Sequence, residues 1–235
     1  MFNELNRAKL LVVLSTMCLS AVPATSPAIA GCGDSPRPGM DWSGCRKQAK
    51  YLVGRSLAGA QLERADLSRT NLMRADLSTA VLKKAILTRT VLMSAKLTKA
   101  NLSGVIANRA NFEGARLSGA NLSKAEFIRT SLQAADLSKA QMVGAQLIRV
   151  NLQGANLDGA RAKYASFARA DLRLASLKQT DLSGAYLFRA DLTGVDLSQA
   201  IGLTTEQLSI ACGDAETKLP AGFTAPSKWP CRAID

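Results

Sequence analysis

The chain of 235 residues is long enough for one domain or two small ones, and its 47% hydrophobic residues exclude a disordered protein. Aromatic residues make up only 5%, so small, uniform side chains must fill the core, while the net charge of +12 favours anionic partners such as nucleic acid, acidic lipid headgroups or acidic polysaccharide. The sequence contains no histidine, which excludes histidine-based triads and general bases.

Residues 1–30 have the pattern of a secretory signal peptide. A basic start is followed by an apolar run over residues 10–22 and by a stretch that ends in Ala-Ile-Ala at residues 28–30. The apolar run is too short to cross a bilayer, and no later run is longer, so we predict no membrane span. We expect export to the periplasm or the extracellular space, with Gly31 as the first mature residue.

A second interpretation of the same region is a lipoprotein. Residues 29–32, Ile-Ala-Gly-Cys, resemble a bacterial lipobox, in which Cys32 would be lipidated after cleavage before it. Lipidation would leave Cys45 without a partner, and a polar stretch separates the apolar run from Cys32, so the ordinary signal peptide is the favoured interpretation.

A strict five-residue period dominates the rest of the chain. Between residues 55 and 199 the frame never slips, which gives 29 repeats with central residues from Leu57 to Leu197, of which 23 are Leu. Two residues before the centre, 21 of the 29 residues are Ala. A helix needs apolar residues at a spacing of about 3.6 and a strand at a spacing of 2, so a period of five fits neither element alone.

This pattern resembles the pentapeptide repeat family, whose motif is A-(D/N)-L-x-x, over residues 55–199. The resemblance implies an all-β fold, a right-handed quadrilateral β-helix of about seven coils, with one pentapeptide on each side and the Leu and Ala pointing inward. Coils stacked at the usual strand spacing of about 4.8 Å form a continuous core. Where Ala replaces the central Leu, at residues 107 and 162, the next central residue is Phe, as expected of a core that fills its volume.

Caps are expected at both ends of such a stack, because open ends would expose unpaired strand edges. We predict an N-terminal cap over residues 31–54 and a C-terminal cap over residues 200–235, the latter with a short capped helix at residues 204–208. Four cysteines remain in two pairs at opposite ends of the chain. A rod of this length would separate the two ends, so each cap is predicted to have its own disulfide, Cys32–Cys45 and Cys212–Cys231.

No residue pattern in the chain points to catalysis. The sequence has no Gly-rich phosphate loop and no metal-ligand spacing, so we predict neither a cofactor nor a metal site. Most carboxylates stand just before a central residue, where solvated repeat positions are expected rather than paired acid–base groups. We therefore predict a non-enzyme whose function resides in a surface.

One of the four sides differs from the others when the sequence is aligned with a period of twenty, and we call it the arginine side. The second residue after its centre is arginine in every coil, and these residues are named the arginine column: Arg69, Arg89, Arg109, Arg129, Arg149, Arg169 and Arg189. Half of the solvent positions that flank the centres of this side are apolar, and the candidate binding residues among them are Ile106, Ile128, Ile148, Tyr186 and Phe188.

An apolar strip beside an arginine column is the composition of an interaction face. We therefore predict an exported, non-catalytic binding scaffold that uses the arginine side to bind an anionic or amphipathic partner. The alternative is a structural or self-associating solenoid whose apolar side forms a homodimer. Duplication of twenty-residue coils would also produce the column, without any use for it.

Two further functions are disfavoured by charge and compartment. The resemblance to the pentapeptide repeat family raises inhibition of DNA gyrase by imitation of DNA, an activity of its quinolone-resistance members. Residues 55–199, however, carry 21 basic and 11 acidic side chains, the wrong sign for such a mimic, and export would separate the protein from gyrase. Nucleic-acid binding fits the charge, but aromatic residues for base stacking are not interleaved with the basic ones.

Overall fold

The computed structural model describes residues 31–229 and consists of stacked coils joined by parallel backbone bridges. The bridges on one side of the stack form an unbroken series. Each joins a residue to the one twenty positions later, from Asp41 with Gln61 to Asp181 with Ile201. One coil therefore contains four pentapeptides. The bridges are isolated, without longer strands in the described part, and the helix found there is α1, Thr205–Ser209. The predicted signal peptide lies outside the described residues.

The backbone of one repeat shows how the coils are held together. The coil above a residue is the one that follows it in the sequence, and the coil below is the one that precedes it. The N–H of Ile86 donates to the coil below, and those of Leu87 and Arg89 donate to the coil above, with N–O distances of 2.9, 2.7 and 3.0 Å. The N–H of Thr90 closes the corner on the carbonyl of Leu87 at 3.0 Å. Only the N–H of the residue just after the centre makes no hydrogen bond in this ladder.

Asp or Asn before the central residue supplies an acceptor for that N–H. Asp76 Oδ1, for example, accepts from the N–H of Ser78 at 3.0 Å. The same turn is made by Asp41, Asp66, Asn71, Asn101, Asn111, Asn121, Asp136, Asn151, Asn156, Asp171, Asp181, Asp191 and Asp196. These side chains therefore have a backbone role, which accounts for the D/N position of the repeat.

The core is a stack of Leu and Ala side chains in which local substitutions are matched. Phe112 and Phe127 are fully buried around the small Ala107, with ring centroids 5.4 Å apart. Thr130 occupies an Ala position, and its hydroxyl donates to the carbonyl of Ala107 at 2.7 Å. Such hydroxyls remain satisfied in an apolar core, and the same arrangement occurs at Thr70, Thr90 and Thr180.

The stack begins earlier than predicted, because residues 41–54 belong to it rather than to a separate cap. Trp42, Lys47 and Leu52 occupy central positions, and the residues just before them bridge to the coil that follows. The repeat was not evident in the sequence here because Lys47 stands where Leu is expected and Cys45 where Ala is expected.

Lys47 and a disulfide close the N-terminal end of the core. The amine of Lys47 donates to the carbonyl of Cys32 and lies 4.0 Å from the centroid of the Trp42 ring. Burial, reinforced by the charge of Lys50, lowers the pKa of this amine. The disulfide Cys32–Cys45 is present as predicted.

Helix α1 closes the other end, which confirms the short capped helix predicted there. Its N-cap Thr204 and Gln207 form a capping box. The side-chain amide of Gln207 also donates to the carbonyls of Leu182 and Ala185 at 2.9 and 2.8 Å, and at Ala185 it replaces the backbone donor that a further coil would supply. Between residues 31 and 229 no helix is long and apolar enough to span a membrane.

The ladder continues beyond the predicted boundary at residue 199, with bridges to Ile201, Cys212 and Lys218. Cys212 is disulfide-bonded, and its predicted partner Cys231 lies outside the described residues. Trp229 covers this end: its Nε1 donates to a backbone carbonyl of the last coil at 2.9 Å, and its ring packs where a Cβ on Gly213 would lie, 2.5 Å away.

Candidate binding face

The backbone places every arginine of the arginine column at a corner of its coil. All seven have φ between 53° and 59°, in the left-handed region that favours glycine. Each N–H is held by a carbonyl of the coil above, so the corner conformation is fixed by the ladder. All seven side chains are exposed. The structure therefore brings the predicted column together as one continuous edge of the rod.

Glycine occurs at the same corner position on the other three sides but never in the arginine column. Each of the other sides has three glycines over the same seven coils, all at positive φ: Gly59, Gly119 and Gly159; Gly104, Gly144 and Gly184; Gly114, Gly154 and Gly194. A residue with a Cβ pays about 1–2 kcal/mol in this conformation. The arginine side accepts this cost in every coil.

The arginine column has no ion-pair partner in the described part of the chain. At a rise of about 4.8 Å per coil it is about 29 Å long, and neighbouring guanidiniums at this distance repel by about 0.8 kcal/mol in bulk water. None of the seven guanidiniums takes part in an ion pair or a hydrogen bond among residues 31–229, where the ion pairs involve other basic residues. Arg189 is 5.5 Å from the centroid of the Phe188 ring.

Two further columns of side chains run along the arginine side, one on each flank of the buried centres. The predicted apolar residues divide between them: Ile106 and Tyr186 precede their centres, whereas Ile128, Ile148 and Phe188 follow theirs, next to the arginine column. The rings of Tyr186 and Phe188 connect the two columns near the C-terminal end, with centroids 6.0 Å apart and planes 11° from parallel.

The column next to the arginines changes character along the rod. From the N-terminal end it contains the polar residues Gln48, Ser68, Thr88 and Asn108, followed by the apolar residues Ile128, Ile148, Ala168 and Phe188. The arginine side thus has a polar half and an apolar half, both bordered by the same row of positive charge.

A recess opens in the polar half, with a volume of about 330 Å³ and a lining of Gln48, Ser68, Arg69, Thr88 and Arg89. Sequence reasoning found its two arginines but not the other three residues. Gln48 was missed because it belongs to the coil that had been assigned to the N-terminal cap. Counting back twenty residues from Ser68 would have placed it on this side.

Asp66 borders this recess and is hydrogen-bonded to its lining. Its Oδ1 accepts from the N–H of Ser68 at 3.0 Å, and its Oδ2 accepts from the side-chain amide of Gln48. Partial burial raises the pKa of the Asp66 carboxyl, but the hydrogen bonds from Ser68 and Gln48 and the charge of Arg46 outweigh it, so the pKa lies below its usual value. Asp66 is therefore ionised at neutral pH, with its oxygens engaged.

A family model described as pentapeptide repeats matches residues 56–92, 95–133, 125–161 and 165–201, more than half of the chain, with eight copies. The chain is a pentapeptide repeat protein. Members of this family are in general scaffolds without catalytic activity, and no group of three or more potential metal ligands occurs in the described range 31–229.

Several solved pentapeptide repeat structures are similar to this chain. HetL, which is involved in the regulation of heterocyst differentiation in the cyanobacterium Nostoc sp. strain PCC 7120, is 31% identical, with 77% of this chain and 90% of that chain covered and a TM-score of 0.32. The plasmid-mediated fluoroquinolone resistance protein QnrB1 is 17% identical, with 74% and 91% covered and a TM-score of 0.42. A protein of the Arabidopsis thaliana thylakoid lumen is 19% identical, with 77% and 87% covered and a TM-score of 0.27. A search of curated proteins finds no match.

Proposed function

We propose that this pentapeptide repeat protein is a non-catalytic binding scaffold whose arginine side binds an anionic or amphipathic partner. The observation that carries the proposal is the column of seven exposed guanidiniums, none of which is in an ion pair among residues 31–229. Mutual repulsion and the left-handed backbone both weigh against arginine at these corners, and each of the other sides uses glycine at three of its seven. A bound anion would offset these costs by pairing with the guanidiniums.

The proposal is tested by charge reversal on two sides of the rod. One variant carries Glu at Arg109, Arg129 and Arg149 in the middle of the column. The matched control carries Glu at Arg64, Lys84 and Lys124, which occupy the same corner position of the preceding side at φ between 55° and 57°. Both variants change the net charge equally, so they separate a local effect from overall charge.

Retention on immobilised heparin, a polyanion, provides the measurement. We expect the column variant to elute at a much lower salt concentration than the wild type, and the control variant to elute close to the wild type. Thermal melts followed by circular dichroism check that both variants are folded. Equal retention of the two variants would contradict the proposal, because retention would then depend on the net charge of the protein and not on the arginine column.

Export and right-handed winding are part of the same proposal. The disulfide Cys32–Cys45 supports an oxidising compartment, and it also engages the sulfur that a lipoprotein would need for its lipid. Mass spectrometry of the mature protein from a periplasmic fraction is expected to give Gly31 as the first residue. A diacylated Cys32 would overturn this part of the proposal. A crystal structure would show the hand of the coils.

Self-association is the second candidate, and exposed aromatic residues near the C-terminal end favour it. Tyr164 and Tyr186 are 72% and 51% exposed, and Ile210 lies above Arg189 at the same end of the arginine side. A homodimer through this region would bury them. Sedimentation at low and high salt tests it, because a dimer held by apolar contacts persists at high salt whereas binding through the arginine column weakens.

A further inference from the structure

The recess in the polar half of the arginine side concentrates hydrogen-bond donors. Arg69 and Arg89 contribute two adjacent guanidiniums without a side-chain partner among residues 31–229, and Ser68 and Thr88 contribute hydroxyls. Gln48 contributes an amide that the carboxylate of Asp66 holds in place. The recess has a volume of about 330 Å³ and is open to solvent.

A backbone donor is also open in this recess. In fourteen repeats the residue after the centre has its N–H bound by the Asp or Asn before the centre, as Asp66 does for Ser68. In the next coil Ile86 stands in place of that Asp or Asn, and the N–H of Thr88 has no acceptor in the described part of the chain. Thr88 itself lines the recess, so this N–H belongs to one of the lining residues.

The number and charge of these donors fit a phosphoryl group better than a carboxylate. A phosphoryl group has three terminal acceptor oxygens and a charge near −2 at neutral pH, whereas a carboxylate has two oxygens and a single charge. Two guanidiniums neutralise a dianion and bind phosphate oxygens in their planar fork geometry. Asp66 borders the site with its oxygens bound to Ser68 and Gln48, and the nearby charge of Arg46 opposes the negative charge that its carboxylate adds.

The apolar half of the same column begins two coils above Thr88, beyond Asn108. Ile128 lies two coils above Thr88 and Ile148 three, so their side chains follow at about 10 and 14 Å along the rod. A ligand whose phosphoryl group occupies the recess would place an alkyl chain of this length over Ile128 and Ile148. The reverse orientation would place the chain over polar residues and the anion among isoleucines.

We propose that the recess of Gln48, Ser68, Arg69, Thr88 and Arg89 binds the phosphoryl group of an amphiphile whose apolar chain runs toward Ile128 and Ile148. This inference rests on the proposed function, since it names the ligand class of the same arginine side. It adds a direction: the anionic head of the ligand lies at the N-terminal end of the rod and the apolar chain at the C-terminal end.

Isothermal titration calorimetry with defined probes tests this assignment in the full mature chain. The probes are octyl phosphate, inorganic phosphate, octanoate and octyl glucoside, all below their micelle concentrations. We expect octyl phosphate to bind at least about tenfold more tightly than inorganic phosphate, because each buried methylene contributes a factor of about four. Octanoate is expected to bind more weakly than octyl phosphate, and octyl glucoside, which has no charge, not measurably. The comparison with inorganic phosphate distinguishes an amphiphile from free phosphate. The comparison with octanoate distinguishes a phosphoryl group from a carboxylate.

Two double variants with the same loss of charge locate the site. Replacing Arg69 and Arg89 by Gln is expected to weaken octyl phosphate binding at least about tenfold. Replacing Arg129 and Arg149 by Gln is expected to change it less than threefold. Gln is compatible with this corner, since Gln179 has φ 54° in this chain. Thr88→Val, which removes one hydroxyl donor without changing the shape, is expected to weaken phosphate binding without affecting the melt.

The outcomes separate the recess from the proposed function. Equal losses in both double variants, or octanoate binding as tightly as octyl phosphate, would overturn the phosphoryl recess while heparin retention through the column could still hold. Binding of inorganic phosphate as tight as that of octyl phosphate would overturn the apolar part. Failure of the column variant to lose heparin retention would instead overturn the proposed function itself.

Discussion

Replacing Arg109 by Gly relieves the arginine column at its centre and tests whether the column is electrostatically strained. Arg89 and Arg129 lie one coil below and one coil above, and each repels Arg109 by about 0.8 kcal/mol in bulk water at about 5 Å. The sum of about 1.6 kcal/mol is an upper value, because long side chains move apart, and we expect about 1 kcal/mol to be recovered.

The backbone contribution is isolated by a matched substitution on another side. Lys139 has φ 57°, close to the 58° of Arg109, but its neighbours in the column are Gly119 and Gly159. Relief of the left-handed conformation, about 1–2 kcal/mol, is offset in both variants by the additional entropy of glycine in the unfolded chain, about 0.5–1 kcal/mol. Lys139→Gly therefore measures the backbone effect without neighbouring charges.

Urea denaturation followed by circular dichroism provides the assay, at about 0.01 M and about 1 M salt, where the screening lengths are about 30 and 3 Å. We expect Arg109→Gly to stabilise the protein by about 1 kcal/mol more than Lys139→Gly at low salt, and the difference to vanish at high salt. An equal effect of the two substitutions, or one that does not depend on salt, would refute electrostatic strain in the column.

Three further predictions concern the core, the turns and the N-terminal end. Phe112→Ala is expected to cost about 3–5 kcal/mol by leaving a cavity beside Phe127, and a thermal melt close to that of the wild type would contradict the described packing. The hydroxyl and N–H of Ser78 hold the pKa of the Asp76 carboxyl below its usual value, so its contribution to stability is present above about pH 4 and is lost as the pH falls. Asp76→Asn keeps the turn but cannot titrate. When the pH is lowered from about 6 to about 3, we expect the midpoint of thermal unfolding to fall less in this variant than in the wild type. Replacing Cys32 and Cys45 by Ser removes the disulfide between residues 13 positions apart and is expected to cost about 3 kcal/mol, as measured by urea unfolding of the variant and the wild type without a reducing agent.

The repeat and its register followed from the sequence because the core depends on one residue type at one spacing. Leu at every fifth position and Ala two residues earlier are enough to define which side chains point inward, and the Phe residues that follow small centres confirm the register. The first coil was missed because its core contains Trp42 and Lys47 instead of Leu. The amine of Lys47 is accommodated there by the carbonyl of Cys32 and by the ring of Trp42. Such pairings are specific to the folded chain.

The candidate site was predictable only in part, for a related reason. The arginine column is visible in the sequence because it repeats without exception. The recess is not, because it requires Gln48 from the first coil and the open N–H of Thr88. That N–H becomes evident only when the role of Asp and Asn in neighbouring repeats is known, since the informative residue is an isoleucine, Ile86.

The pairing of residues twenty positions apart has a consequence for how this protein tolerates insertions. An added pentapeptide preserves the five-residue frame, so every Leu and Ala still points inward and the rod still closes. All later coils, however, are then displaced by one side, and the upper arginines move to a neighbouring edge of the rod. Packing constrains the length of the chain only in steps of five, whereas the arginine column constrains it in steps of twenty. The aligned arginine column therefore excludes insertions of five, ten or fifteen residues, which the core alone would accept.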